Sequence, residues 1–159
     1  MTPETYIQRL LEVTEKKDGL LSKMLALTND QTKTLTDEGI DDLQKLVDRK
    51  QTVIEAINKL DEDFDVYFQR FKSVMKINNL GELKNCDING AAKLREAVAK
   101  TIDIIHKISE IENQNNEKAQ ALLGSLGGEI KKINQGKMVK TTYMPGPIKP
   151  PSYYFDKKK

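Results

Sequence analysis

Apolar residues recur at steps of three and four along most of this chain, the spacing that places them on one face of an α-helix. The pattern is most regular in the middle of the chain. There the positions are Leu43, Leu46, Lys50, Val53, Ile57, Leu60, Phe64, Tyr67, Phe71 and Val74. Only Lys50 among them is not apolar, so residues 38–78 are predicted to form one long helix with a coiled-coil-like seam.

Two further helices are predicted, over residues 3–35 and 91–123. Thr36 or Asp37 is suited to cap the start of the middle helix. Each flanking helix contains a polar stretch. Residues 14–18 predict a bend or frayed turn. Residues 112–118 predict weak packing, or packing against something outside this chain.

Composition agrees with long helices. Aromatic residues make up 6% of the 159 residues, there is no Trp, and 31% are charged. A narrow stripe of Leu, Ile and Val can fill the core of such a bundle. We therefore predict an all-α fold, an elongated antiparallel helical hairpin or three-helix bundle over residues 1–126. A short helix and an extended, basic, proline-rich tail are expected over residues 127–159.

The tail differs from the rest of the chain in charge. Residues 129–159 contain eight Lys and two acids, a net +6, so the other 128 residues carry −4 of the total +2. Such a tail can attract acidic partners. It contains no Arg, the residue that makes most specific nucleic-acid contacts, so nucleic acid is not an expected partner. Four prolines within residues 145–151 favour extended backbone.

Candidate catalytic and metal-binding residues are few. The single His106 lies at the edge of an apolar stripe, and the single Cys86 lies in a connector. Neither has the partners that a zinc site or an activated nucleophile needs. The acids within residues 61–65 are expected on a solvated helix face. The chain is therefore predicted not to be an enzyme, with no cofactor and no metal.

No signal peptide and no apolar run long enough to cross a membrane stands out in the sequence. We therefore expect a cytoplasmic protein that does not insert into the membrane.

Lys50 in the seam has two interpretations. It can set the helix register, with its ammonium in solvent or paired with a carboxylate across the seam. It can also contribute to a binding site.

The tail carries apolar residues that need a surface to pack against. They are Ile130, Ile133, Met138, Val139, Tyr143, Ile148, Tyr153, Tyr154 and Phe155. Such a segment can fold onto a partner protein, or it can fold back onto the bundle. The sequence leaves both alternatives open.

Two stretches resemble the FlgN-type flagellar export chaperones of Gram-positive, clostridium-like bacteria. The first runs from Asp37 to Asp61 and contains Asp-Asp-Leu at 41–43 and Lys-Gln at 50–51. The second runs from Ile130 to Tyr143, as Ile-Lys-Lys-Ile-Asn-Gln-Gly-Lys-Met-Val-Lys-Thr-Thr-Tyr, and the chain ends in Tyr-Phe-Asp-Lys-Lys-Lys. The resemblance covers most of the chain in order and length.

The resemblance implies a cytosolic chaperone that keeps hook–filament junction proteins unpolymerised and delivers them to the export gate, a membrane protein with a cytosolic domain. It also implies that the C-terminal portion captures an amphipathic helix of the substrate protein. Tyr143 is the nearest match to a tail tyrosine that docks at the gate.

The apolar stripe continues past the Gly127-Gly128 break, which motivates a hypothesis for the capture surface. Its residues are Leu122, Leu126, Ile130, Ile133, Met138 and Val139. The alternative function is that of a structural or adaptor coiled-coil protein that self-associates and has no role in secretion.

Overall fold

Three long α-helices make up most of the chain in a computed structural model, which describes residues 2–85 and 87–125. They are α1 (Pro3–Lys33), α2 (Ile40–Met75) and α3 (Ala91–Ser125), with short 3₁₀ segments at Asp37–Gly39 and Leu80–Asn85. No strand occurs in the described ranges. The predicted all-α, bundle-like fold is thereby confirmed. The short helix and tail predicted for residues 127–159 lie outside the described residues.

The turn between α1 and α2 is closed by a side-chain cap. Thr36 accepts a hydrogen bond on its Oγ1 from the backbone N–H of Gly39, at 3.1 Å. A Cβ at Gly39 would overlap the backbone of Thr34, so only glycine fits there. Of the two predicted capping residues, Thr36 and Asp37, the structure uses Thr36. It caps the 3₁₀ segment that leads into α2.

The end of α2 comes three residues before the predicted one. Lys76 has φ 56° and lies in the left-handed region that usually takes glycine at helix ends. Ile77 then donates its N–H to the carbonyl of Lys72 at 3.3 Å. The chain therefore leaves the helix before the predicted end at residue 78 is reached.

The described residues fall into two compact units, each built from one part of every helix. Unit 1 holds residues 2–22, 54–85 and 87–105, and unit 2 holds residues 23–53 and 106–125.

In unit 1, α2 runs antiparallel to α1. The rings of Tyr6 and Phe71 lie 6.5 Å apart, and Lys17 is bonded to Asp61 further along. In the same unit α3 runs parallel to α1, because Gly90 lies against Ile7 and Thr101 is bonded to Asp18. Gly90 has φ 92°, and a Cβ there would lie 3.0 Å from the Ile7 side chain.

The core of unit 1 is aromatic and aliphatic. Its buried members are Tyr6, Ile7, Leu10, Leu11, Phe64, Phe68, Phe71, Ile77, Leu80, Leu83, Ala91, Leu94 and Val98. The rings of Phe64 and Phe68 lie 5.9 Å apart. Aromatic side chains bury the largest areas of any residue type, so this core contributes much of the stability of unit 1.

The buried face of α2 departs from the predicted seam. Val74, placed in the seam, is 51% exposed, whereas Phe68, left out of it, is fully buried. An undistorted helix repeats every 3.6 residues, so its buried face drifts away from a strict heptad. From Ile57 the buried positions follow the 3.6-residue period, through Phe68 to the half-buried Met75.

The helix α1 is continuous through residues 14–18, so the predicted fraying there is wrong. Thr14, Lys17 and Asp18 are buried rather than exposed. Thr14 donates its hydroxyl to the carbonyl of Leu10 at 2.8 Å. The polar residues interrupt the apolar stripe without interrupting the helix, because each finds a hydrogen-bond partner.

None of the helices in the described residues is long and apolar enough to cross a lipid bilayer.

Candidate functional site

The predicted substrate-binding residues lie mostly beyond the described part of the chain. Leu122 is the exception. It lies on the last turns of α3 and is half-buried. Leu126, Ile130, Ile133, Met138 and Val139, together with the predicted gate-docking Tyr143, lie outside the described residues. The site can therefore be built only around the C-terminal end of α3, which belongs to unit 2.

A small apolar cluster lies just before Leu122. Leu35, Leu43 and Ala119 are buried in it, with Val47 packed against them. The three buried residues come from the segment after α1, from α2 and from α3. Leu122 follows Ala119 by three residues, so both lie on the same side of α3. The apolar face at this end of the helix therefore continues toward the predicted capture residues.

Lys50 lies at the centre of a buried polar layer in unit 2. Its Nζ donates to Gln31 Oε1 at 2.7 Å and to both carboxylate oxygens of Glu112 at 2.9 Å. The three side chains come from α2, α1 and α3. Lys50 thus pairs with a carboxylate across the seam, one of the two arrangements considered for a register-setting residue.

The charge on Lys50 is held in place by its partner. Burial lowers the pKa of Lys50 from the usual lysine value, while the charge and the hydrogen bonds of Glu112 act in the opposite direction. Both side chains are more than nine-tenths buried. Each charge therefore depends on the other, and removing either would leave an uncompensated ion inside the protein.

A second polar layer lies nearer the end of α3. Asn115 accepts a hydrogen bond on Oδ1 from Thr32 Oγ1 at 2.6 Å and donates from Nδ2 to the carbonyl of Thr28 at 3.2 Å. Lys118 donates to the carbonyl of Thr32 at 3.3 Å. Weak packing of residues 112–118 was therefore a wrong prediction, because α1 and α2 of this same chain supply their partners.

One donor in these layers has no partner among the described residues. Gln31 is fully buried, and its Nε2 amide group lacks a hydrogen-bond acceptor. The other end of the amide is held by Lys50. A buried donor without an acceptor destabilises the folded protein, so the Nε2 group of Gln31 lowers the stability of unit 2.

Sequence reasoning missed Thr28, Gln31, Thr32 and Asn115 as parts of this site. A signal existed, because polar residues continue the helical spacing of their apolar neighbours. On α1 the face runs Met24, Thr28 and Gln31, with Leu35 following in the next segment, and on α3 it runs Ile108, Glu112, Asn115 and Ala119. Steps of three and four through polar residues indicate buried polar positions as well as apolar ones.

Unit 1 contains polar contacts of its own. Lys17 Nζ lies 2.6 Å from Asp61 Oδ1, so Asp61 turns inward and does not join its neighbours on the solvated face. Asp18 accepts a hydrogen bond from Thr101. Burial raises the pKa of Asp18, and Glu15 adds to this effect, while the Thr101 hydrogen bond and the charges of Lys100 and Lys17 oppose it.

A surface groove of about 1430 Å³ runs between α1 and α3 in unit 1. Its walls carry charges of both signs, including Glu12, Glu15, Lys93 and Lys100. Small-molecule sites are usually apolar with a few convergent polar groups, and this groove lacks that character.

Of the two candidate catalytic residues, His106 is the one that lies among the described residues. His106 is exposed on α3, and Cys86 lies outside the described residues. In residues 2–85 and 87–125, no group of three or more His, Cys, Asp or Glu side chains is placed to hold a metal ion.

A protein-family model described as "FlgN protein" matches residues 1–146 of this chain. The match extends over all three helices and reaches beyond Tyr143. Neither the curated proteins nor the solved structures provide a significant match.

Proposed function

Since the chain belongs to the FlgN family, a family of flagellar export chaperones, we propose that it binds hook–filament junction proteins and delivers them to the export gate. In this role it acts in the cytoplasm, where junction subunits are held unpolymerised before export.

The family match over residues 1–146 is the observation that carries this proposal. The end of α3 supports it. Leu122 continues the apolar face that begins at Ala119, and it is half-buried rather than sealed inside the bundle. We assign the capture surface to Leu122 and to the apolar residues that follow it, namely Leu126, Ile130, Ile133, Met138 and Val139.

An amphipathic helix of the substrate is the natural ligand for such a surface. Terminal coiled-coil helices of filament subunits associate through apolar stripes, and a chaperone that covers the stripe keeps them apart. The basic charge of residues 129–159 adds attraction for acidic substrates and would increase the rate of encounter.

Calorimetry tests the capture surface. The titrant is a peptide carrying the C-terminal helix of a hook–filament junction protein, and the receptor is the full chain. Replacing Leu122 by Lys places a charge in the apolar contact, so the affinity should fall by about tenfold or more. Val74→Lys is the matched control, because Val74 is an exposed apolar residue of unit 1, and its affinity should be unchanged.

Removal of residues 126–159 gives the stronger test. The shortened chain should lose measurable binding of the peptide. Full affinity in the shortened chain would contradict the assignment. Self-assembly of the full chain into large oligomers without substrate, detected by light scattering, would favour the coiled-coil alternative.

The gate-docking role of Tyr143 is tested separately. Tyr143→Ala should lose binding to the cytosolic domain of the export gate and keep its affinity for the junction-protein peptide. Loss of both, or of neither, would contradict a separate docking role.

A further inference from the structure

We infer that residues 112–125, the last turns of α3, act as an exchangeable cover in unit 2. The surface beneath them accepts an acidic, amphipathic helix of the partner protein once this segment detaches. The acceptor surface is formed by Thr28, Gln31, Thr32, Leu35, Leu43, Val47 and Lys50. The inference rests on the proposed function, because it describes how the substrate helix is bound.

The buried contacts of the cover include a polar set. Glu112 pairs with Lys50, and Asn115 bonds to Thr28 and Thr32. In the apolar cluster of Leu35, Leu43 and Val47, the cover contributes the small side chain of Ala119, and Leu122 and Leu123 on the cover are half-buried. Side chains that separate into water exchange these hydrogen bonds for hydration, so a polar layer resists detachment less than an apolar one.

Detachment of the cover leaves neither Lys50 nor Glu112 buried without its counter-charge. The cost of breaking a buried ion pair is large when one partner is deleted and the other stays buried. When α3 lifts away, both Lys50 and Glu112 regain water. The pair therefore fixes the position of the cover while it is bound, and it opposes release far less than a comparable aromatic layer would.

The unsatisfied amide of Gln31 points to a ligand with an additional acceptor. Its Nε2 is buried and lacks an acceptor beneath the cover. Exposure to water, or an acceptor brought by another molecule, would remove this defect. The acceptor surface therefore favours a replacement that carries more acceptor atoms than residues 112–125 supply.

These contacts describe the chemistry of the partner helix. It needs a carboxylate for Lys50, a further oxygen acceptor for Gln31, and an apolar side chain larger than Ala119 above Leu35 and Leu43. An acidic amphipathic helix has all three features. The detached end of α3 carries Leu122, so the partner would lie between the acceptor surface and the proposed capture surface.

A reversible cross-link tests whether the cover must move. In a Cys86→Ser background, Thr32→Cys and Asn115→Cys are joined by a short bis-thiosulfonate linker, which tethers the cover to α1 and which dithiothreitol removes. The native side chains touch, with Oγ1 and Oδ1 2.6 Å apart. Asp18→Cys with Thr101→Cys is the matched control, because it joins α1 to α3 within unit 1 and leaves the cover unrestrained.

The readout is affinity for the junction-protein peptide used above. We expect the linker at 32 and 115 to weaken binding by about tenfold or more, with recovery after reduction, and the linker at 18 and 101 to change it less than about twofold. Equal affinity of the linked and reduced 32/115 variant would overturn the inference while leaving the proposed function intact.

If the peptide binds no form of the protein, the proposed function fails, and hydrogen exchange of the free protein then decides the inference. We expect the amides of residues 113–123 to exchange faster than those of residues 94–104, because the cover opens more often. Equal protection of both segments would overturn it.

Discussion

At the scale of single residues, charged and polar side chains occupy buried positions in both units. Lys50 is held by Glu112 and Gln31, and Lys17 is held by Asp61. Such groups specify which helix faces meet, because only one alignment satisfies them all. Removing one side chain of such a pair should therefore lower the stability of the bundle.

Replacing Lys50 by Met should lower the free energy of unfolding by about 3 kcal/mol, since Glu112 would remain buried without a counter-charge. Replacing Glu112 by Leu as well should restore much of this loss, because no ion then remains in the layer. Urea denaturation measures both variants, and Lys59→Met, at an exposed site on α2, is the control. A double variant as unstable as Lys50→Met alone would contradict this account of the layer.

Asp18 predicts a pH effect. Its pKa is raised mainly by burial, so the folded state holds the proton more tightly than the unfolded state does. The contribution of Asp18 to stability is therefore complete below its unfolded pKa and is lost as the pH rises through the folded pKa. Asp18→Asn should be more stable than the parent at pH 7, and this advantage should shrink as the pH is lowered toward 3.8.

Urea midpoints between pH 7 and pH 3.5 measure this difference. Asp63→Asn, a substitution on the exposed face of α2, serves as the control and should show no comparable trend. An advantage of Asp18→Asn that stayed constant over this range would contradict the assignment to burial.

At the scale of elements, apolar spacing is enough to predict the three helices. Spacing alone does not predict which side chains are buried along the whole length of each helix. The seam on α2 was right from Leu43 to Ile57 and wrong at Val74. A period of 3.5 and one of 3.6 place residues on nearly the same face over the first turns and diverge over a helix of ten turns. The error was therefore confined to the far end of the helix.

The choice between these two periods can be tested on α2. Phe68→Ala removes a fully buried ring and should cost about 3–5 kcal/mol. Val74→Ala removes a half-exposed side chain and should cost about 0.5 kcal/mol or less. Guanidinium denaturation measures the loss of free energy of unfolding in each variant. Equal losses would show that the buried face of α2 follows the strict heptad.

The candidate site was less accessible to sequence reasoning than the fold. Leu122 could be proposed because it continues an apolar stripe. The partners of Glu112 and Asn115 could not be identified, because they lie more than 60 residues away in the chain. A polar stretch looks the same whether it faces solvent or a polar layer on another helix.

At the scale of the whole molecule, the core residues described in the two units come from all three helices and from the segments between them. Charge is distributed unevenly along the chain, since residues 129–159 have a net charge of +6 and residues 1–128 have one of −4. The net positive charge is thus concentrated in residues 129–159, whereas the rest of the chain is acidic.

Removing residues 126–159 should leave the free energy of unfolding unchanged within about 0.5 kcal/mol, the usual effect of changes away from a core. The shortened chain should also become acidic, with the net charge given above. Thermal and urea denaturation of both chains test this. A loss well above that limit would show that the tail packs back onto the bundle, the alternative that its apolar residues left open.

The placement of α3 beside the start of the chain has a consequence for the order of folding. Contacts between α1 and α2 join residues 19 and 44 positions apart, whereas α3 reaches α1 across 83 to 87 positions. Closing a short loop costs less entropy than closing a long one. During synthesis, α1 and α2 can pair before α3 has left the ribosome. A newly made chain would then present the face containing Lys50 uncovered until α3 emerges.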